Sequence, residues 1–352
     1  MTDTITNNNP GEVLTPRDTR YLFVLPFSTD PELARRFLAR DSNMVGNIRF
    51  GKLLETLDKV AENTALAYVH RFYPDARVVT AAVDNIVLRN PADTKHDLVF
   101  SAQLNHVGKS SMEVGIRVEC LGSGAGHLAT CYFTMVARSA DSGEARSLVL
   151  PPLKYEQEVE LKRYRKAEER RQTYREGLAK AEEMPSLDEY LFLKKLHKEQ
   201  EAEGFCGLRA RDLVLESTCR AYPEQENVPK TIFGGYLIRK AYELAALAAE
   251  MVTHDRPVPC RVNRINFNQP VLLGDQLKFT ARVVYTGKTT ITVQSDIERF
   301  SRTVGDKALS NSCLFTFSNV DEAMQPQAVP FIYPVTYAED ARLLNAYRQR
   351  ID

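Results

Sequence analysis

Apolar residues recur at helical spacing in two places along this chain. Leu53, Leu54, Leu57, Val60, Ala61 and Ala65 follow the i, i+3, i+4, i+7 rule, and so do Leu237, Ala241, Leu244, Ala245 and Ala248. Each pattern predicts a helix, preceded by a polar loop and a glycine. Runs rich in Val, Ile, Thr and Phe come after each helix and predict strands. In the first half these are Leu98 to Val107, Ser111 to Glu119 and Ala129 to Ala137; in the second, Gln276 to Tyr285, Thr289 to Ile297 and Asn311 to Phe317. Val107-Gly108-Lys109 and Thr286-Gly287-Lys288 predict hairpin turns between successive strands.

The two halves are also alike residue by residue. Val83 to Pro91 lies over Val262 to Pro270 without a gap, at an offset of 179, and the same offset superposes Gly108-Lys109-Ser110-Ser111 on Gly287-Lys288-Thr289-Thr290. Upstream the offset is 184, which pairs Asn43, Ile48, Gly51 and Leu53 with Asn227, Ile232, Gly235 and Leu237. Downstream it is 182, which pairs Cys131-Tyr132-Phe133-Thr134 with Cys313-Leu314-Phe315-Thr316. Small changes of offset are what loop insertions produce, so the chain is a tandem duplication.

One helix with small residues on several faces, followed by four or five antiparallel strands, predicts a sheet wrapped around a central helix. That is the hot-dog fold, here written twice: an α+β double hot-dog. The expected division is a disordered tail over 1–17, a first domain over 18–150, a linker over 151–204, a second domain over 205–330 and a C-terminal tail over 331–352. The linker holds 12 Lys/Arg and 13 Asp/Glu with interleaved signs, which reads as a solvated helical connector without a sustained apolar heptad.

Composition narrows the function. With 46 Lys+Arg against 46 Asp+Glu, a broad nucleic-acid-binding surface is not expected. No apolar run is long enough to span a membrane. The polar N-terminus, with Asp3 and Glu12, lacks the marks of a secretory or transit segment, so the expected location is the cytosol, or the mitochondrial matrix if a presequence is missing. Six scattered cysteines, none in a C-x-x-C pair, read as reduced thiols, and neither a metal site nor a cofactor is expected.

The helix entrances carry the candidate chemistry. Gly51 stands before the first helical pattern, and Gly234-Gly235 before the second. A glycine there lets a ligand approach free backbone N–H groups whose dipoles favour developing negative charge, which is what an oxyanion site requires; tight helix packing is the plainer explanation. Asp58 falls on or beside the apolar stripe of the first helix. A carboxylate there is paired, functional or reaching solvent from the edge of the stripe. The repeat places Tyr242 opposite Asp58, so any chemistry that needs this carboxylate is asymmetric.

The segment Asn227 to Ala245, N-x-x-x-x-I-F-G-G-Y-L-I-R-K-A-Y-E-L-A, is similar to the acyl-coenzyme A thioesterases with tandem hot-dog domains, closest to the acyl-CoA thioesterase 9 group of mitochondrial type. Arg49 to Asp58, Thr80 to Asp84 and Val107 to Val114 resemble the same group, and the likeness runs from about Arg20 to Tyr337. The charged linker does not match it. The resemblance implies hydrolysis of fatty acyl-CoA to fatty acid and CoA, with CoA as part of the substrate and no cofactor. It also implies a composite site in which an Asp on one domain's helix faces an Asn in the other domain's helix-entrance loop. Carried over, the productive pair is Asp58 with Asn227, and the mirror pair, Asn43 with Tyr242, is chemically silent.

In that reading Gly234 or Gly235 and Asn227 hold the thioester carbonyl. Asp58 either activates water or attacks directly, and both routes stay open. Asn47 and Glu62 are candidates for supporting this site, and Lys109 and Lys288 for meeting the phosphates of CoA. The family further implies a trimer of double hot-dogs. Two other readings compete: a non-catalytic acyl-CoA-binding or scaffold protein, and a hot-dog hydratase or dehydratase. The latter needs a catalytic His, and His70 alone lies close to the first helix, outside the expected pattern.

Overall fold

A computed structural model describes residues 13–40, 44, 46–122, 126–139, 146–181, 184–228, 231–301 and 305–350. In the first half, β1 (Tyr21–Leu25) precedes the long helix α1 (Phe50–Val69), and five strands follow: β2 (Arg77–Val83), β3 (Ile86–Leu88), β4 (Leu98–Val107), β5 (Ser111–Cys120) and β6 (His127–Arg138). Two helices, α2 (Glu158–Ala181) and α3 (Leu187–Gln200), lead to the second half. There β7 (Val214–Arg220) precedes α4 (Gly234–Glu250), and β8 (Arg256–Val262), β9 (Ile265–Asn266), β10 (Gln276–Thr286), β11 (Thr290–Phe300) and β12 (Lys307–Val320) follow. A last helix, α5 (Tyr337–Arg348), closes the described chain. The strands expected from sequence agree with these bounds to within a few residues.

The twelve strands form one sheet, in the order β1-β4-β5-β6-β3-β8-β12-β11-β10-β7, with β2 paired to both β6 and β9. Every hydrogen-bonded pair among them is antiparallel, which suits short hairpin connections and one buried face. Burial alternates along β5 and β6, so one face of each strand meets its helix. The duplication is visible in the pairing itself. At the junction Val87 pairs with Arg261 and Ile86 with Val262, while Val83 pairs with Ile265 and Ala82 with Asn266. Thus β3 meets β8 just as β9 meets β2, an approximate two-fold relation between the halves.

The helices α1 and α4 pack against each other beneath this junction. The glycines mark the closest approach of the two helices: Gly51 lies against Arg239 and Tyr242, and Gly235 against Asp58. Two ion pairs cross between them, Arg239 Nη1 to Glu55 Oε2 at 2.9 Å and Arg49 Nη2 to Glu243 Oε1 at 2.6 Å. Glu55 and Arg239 occupy equivalent positions in the two repeats, so their pair lies across the approximate two-fold.

Three sequence expectations are corrected here. Residues 13–17, expected in the tail, belong to the fold: Leu14, Thr15 and Pro16 are buried, and the side chain of Asp18 accepts from the Thr15 N–H at 2.8 Å and hydroxyl at 2.6 Å, closing a capping box that holds this turn. Residues 1–12 lie outside the described residues. The connector is not solvated throughout. Ala167 of α2 is fully buried, and Arg170 pairs with Glu113 of β5, lies 3.7 Å from Asp84 Oδ2, and covers the Tyr132 ring at 3.6 Å. The missing heptad concealed this because α2 docks through a few polar and aromatic side chains and not through an apolar stripe. The residues 331–352 expected as a tail include α5, whose Leu343 and Leu344 pack against Leu196 of α3.

Candidate active site

The carboxylate of Asp58 is wholly buried near the middle of α1. It faces the start of α4 from the other half. A Cβ on Gly235 would stand 3.0 Å from Asp58 Cβ and 2.7 Å from the Phe233 ring, and one on Gly234 would stand 3.0 Å from the Phe267 ring and 3.3 Å from Asp58 Oδ2. A side chain at either position would press on these neighbours. The first N–H groups of a helix have no intrahelical acceptor, so this end presents donors and the positive end of the helix dipole to whatever lies beside Asp58.

Thr80 supplies the remaining contact. Its hydroxyl donates to Asp58 Oδ1 at 2.6 Å, and Asp58 Oδ2 has no hydrogen-bond partner among the described residues. Thr80 owes its position to a β-bulge. The register of β2 against β6 slips between Thr80 and Ala82, and such a slip re-aims side chains toward a site. One oxygen of Asp58 is therefore fixed and the other faces Gly234.

Burial raises the pKa of Asp58 from 3.8 to about 7. The Thr80 hydrogen bond opposes this, buried Glu62 adds to it by like-charge repulsion, and the Gly235 N–H and Lys59 draw it back down. Glu62 itself pairs with Lys59 at 2.7 Å, and the Lys59 ammonium lies 5.8 Å from the centroid of the Phe233 ring, just before α4. A carboxylate poised near neutrality with one unengaged oxygen suits a base or a nucleophile.

The other candidates fall as follows. Asn227 lies in a short strand, Glu226–Val228, ahead of α4, and its side chain is outside the described residues; so is the whole of Asn43. Asn47 is buried, but its amide accepts from the Arg40 N–H at 2.9 Å and donates to the Arg40 carbonyl at 2.7 Å, which clasps its own loop. Lys109 and Lys288 are exposed at their hairpin turns. Gly51 lies against the other helix: a Cβ there would meet Arg239 Cγ at 3.1 Å and the Tyr242 ring at 3.2 Å. It is the image of Gly235 against Asp58. His70 closes α1 three turns beyond Asp58 and contacts the Ala76 carbonyl at 2.9 Å, so it belongs to a turn. Among the described residues no cluster of His, Cys, Asp and Glu could hold a metal ion.

Thr80 was missed as a site residue. The available signal was the repeat: at an offset of 179, Pro259 replaces Thr80, a second asymmetry beside Asp58 and Tyr242. Pro259 sits at the same bulge in β8, where the register against β12 slips between Pro259 and Arg261.

The fold and site together define a double hot-dog with one buried carboxylate at the mouth of the opposite helix. A thioesterase superfamily profile matches residues 56–126 and 230–305. Over 96% of this chain and 79% of its own length, a Mus musculus protein named acyl-coenzyme A thioesterase 9, mitochondrial, is 29% identical. The Escherichia coli (strain K12) acyl-CoA thioester hydrolase YciA is 31% identical across 34% of this chain and 91% of its own. A solved structure of a putative oleoyl thioesterase from Lactobacillus plantarum shares the fold, at a TM-score of 0.51 and 8% identity over 88% of this chain and 98% of that one. The chain belongs to the thioesterase superfamily.

Proposed function

We propose that this chain hydrolyses the thioester of fatty acyl-CoA at a single composite site formed by Asp58 and Thr80 of the first half and the N-terminus of α4 from the second. The chain is an acyl-CoA thioester hydrolase. The observation that carries the site assignment is the Asp58 carboxylate, buried and held by Thr80 on one oxygen, against a glycine pair that opens a helix. The N–H groups of Gly234 and Gly235 would take the charge that develops on the carbonyl oxygen, with Asn227 as a further donor on the family resemblance.

Asp58, once ionised, either removes a proton from an attacking water and passes it to the departing CoA thiolate, or adds to the carbonyl itself. Addition expels CoA thiolate and leaves a mixed anhydride that water then hydrolyses, its proton going to the thiolate. Single turnover in isotopically labelled water tests direct attack, because water that opens the anhydride at the aspartyl carbon puts label into the Asp58 carboxyl, which general-base catalysis never does; trapping the anhydride with hydroxylamine covers attack at the acyl carbon. The assay for the function is thiol release across a panel of acyl-CoA esters. Hydrolysis that falls by roughly a thousandfold in Asp58→Asn supports the assignment; full activity in that variant, or no hydrolysis by the unaltered chain, refutes it.

Location and assembly belong to the same proposal. The mitochondrial relatives support the matrix over the cytosol, which fractionation checks, and among the described residues no helix is long and apolar enough to cross a membrane. Association as a trimer follows from the resemblance, and light scattering at three times the chain mass is the measurement for it.

A further inference from the structure

The approximate two-fold generates a second cleft, the image of the catalytic one, in which both groups that act on the thioester are replaced. Tyr242 stands for Asp58 and Pro259 for Thr80, and Phe50 takes the place of Gly234. Tyr242 packs edge-on against Phe50, with ring centroids 5.1 Å apart, and against Phe315 at 5.5 Å. A phenol stands where the carboxylate would be, and among the described residues no carboxylate lines this cleft to activate water.

The cleft has nevertheless stayed open. A cavity of about 220 Å³ lies between the start of α1, the segment after β3, and strands β8 and β12. Ile48, Leu53, Leu88 and Leu128 line it from one half; Cys260 and Met324 line it from the other. Its positions are those of the catalytic cleft: Ile48 answers to Ile232, Leu53 to Leu237 and Pro91 to Pro270. A smaller side chain helps to explain the volume. Leu88 replaces Phe267, whose ring lies close against Gly234 on the catalytic side. A dry apolar cavity of about 150 Å³ is enough to bind benzene.

Met324 is a second, independent observation. It alone among the described non-glycine residues has a positive φ, 63°, and it lines this cavity. Such a conformation is uncommon for a residue with a Cβ and persists only where the surroundings enforce it. Asp321 enforces it here: its carbonyl accepts from the Met324 N–H at 3.1 Å, and its carboxylate accepts from the N–H groups of Ala323 and Gln325 at 2.9 and 2.8 Å. The strained turn aims a flexible thioether at the cavity, a side chain suited to closing over aliphatic groups of varied shape. Arg89, exposed at the cavity's edge, adds positive charge.

We propose that this mirror cleft is a second binding site for an aliphatic acyl chain with an anionic head group, which it holds without hydrolysis. The inference rests on the proposed function for its ligand class. Two sources share this chemistry, the acyl-CoA thioester and the free fatty acid that hydrolysis releases.

Cys260 lines the cavity and reports on its occupancy. In the Asp58→Asn chain, which preserves the thioester during the measurement, alkylation of Cys260 by N-ethylmaleimide is followed by peptide mass spectrometry. Exposed Cys206 serves as internal control. Saturating octanoyl-CoA or octanoate is expected to slow Cys260 alkylation at least fivefold and leave Cys206 unchanged. Protection by octanoyl-CoA alone names the thioester as the ligand, and protection by octanoate names the free acid. Protection by neither overturns the proposal. Leu128→Trp fills the cavity and is expected to abolish protection; protection that persists in this variant, with its fold verified by thermal melting, also overturns it. Thiol release by the unaltered chain is measured in parallel. A chain that hydrolyses octanoyl-CoA but leaves Cys260 unprotected fails this inference alone, whereas one that protects Cys260 but hydrolyses nothing fails the functional reading alone.

Discussion

Thr80 Oγ1 donates to Asp58 Oδ1 at 2.6 Å, and the repeat replaces both partners at once, by Pro259 and Tyr242. The hydroxyl does two things for the carboxylate. It fixes one oxygen so that the other faces Gly234, and it stabilises the ionised form against burial. Thr80→Val is close in volume and removes only the donor. It is expected to lower kcat by about 10- to 100-fold, or roughly 1.4–2.7 kcal/mol of barrier, and to move the acid limb of the rate profile to higher pH. Steady-state kinetics from pH 5 to 9 check both effects; a fall in kcat with an unmoved acid limb would contradict the second role.

The pH dependence has a definite sign. Asp58 must be ionised to act, and burial raises its pKa to about 7, so kcat/KM is expected to rise with pH through neutrality and level off above it. Stability runs the other way. The folded protein holds this proton more tightly than the unfolded chain, whose carboxyl titrates at the ordinary value. Stability from this group is therefore full below about pH 4 and is lost as pH rises toward 7. Asp58→Asn removes the ionisation and is expected to be more stable than the unaltered chain at pH 8 by a few kcal/mol, with the gap closing at pH 4–5. Urea unfolding at the two pH values measures it.

The mirror position yields the complementary result. Tyr242 is buried between α1 and the second sheet, and desolvation pushes its phenol well above the ordinary pKa, so it stays neutral. Tyr242→Phe keeps the packing and is expected to leave thiol release within about twofold, where Asp58→Asn abolishes it. Tyr242→Ala empties a site among Phe50, Phe315 and Phe317 and is expected to cost about 3–5 kcal/mol. A strong loss of activity in Tyr242→Phe, with unchanged melting, would mean that the second cleft takes part in turnover.

These contrasts show what was legible in the sequence. The duplication placed the helices, the hairpins and the Asp58–Tyr242 asymmetry, because periodicity and repeat offsets survive without any knowledge of contacts. Burial of Asp58 was undecided, since its place at the stripe's edge is resolved only by the packing of α4 from the other half. Thr80 was overlooked because a bulge, invisible in a pattern of alternating residues, turns it toward the helix. Asn47 was read from its position as a supporting group of the site; its amide clasps its own loop at Arg40, a contact no sequence pattern announces. The helix α2 looked solvated because a count of charges does not reveal which ones pair.

Arg170 tests that last point. Its guanidinium makes a bidentate pair with Glu113, with Nε 3.2 Å from Oε2, and lies 3.6 Å from the Tyr132 ring, where cation–π attraction adds to the ion pair. Asp84, 3.7 Å from Arg170, is also 3.7 Å from Arg264 Nη1 of the second half, so the connector helix joins both halves at one carboxylate. An exposed ion pair would be worth little, but Glu113 is largely buried here and would keep only Asn105 Nδ2 at 3.1 Å. Arg170→Ala is expected to destabilise the chain by about 2 kcal/mol. Arg170→Lys, which keeps the charge but loses the planar fork and the stacking, is expected to recover less than half of that. Chemical unfolding measures both, and thiol release per folded molecule should not change, because no contact of Arg170 reaches Asp58. If Arg170→Ala melts like the unaltered chain, α2 is a solvated connector after all.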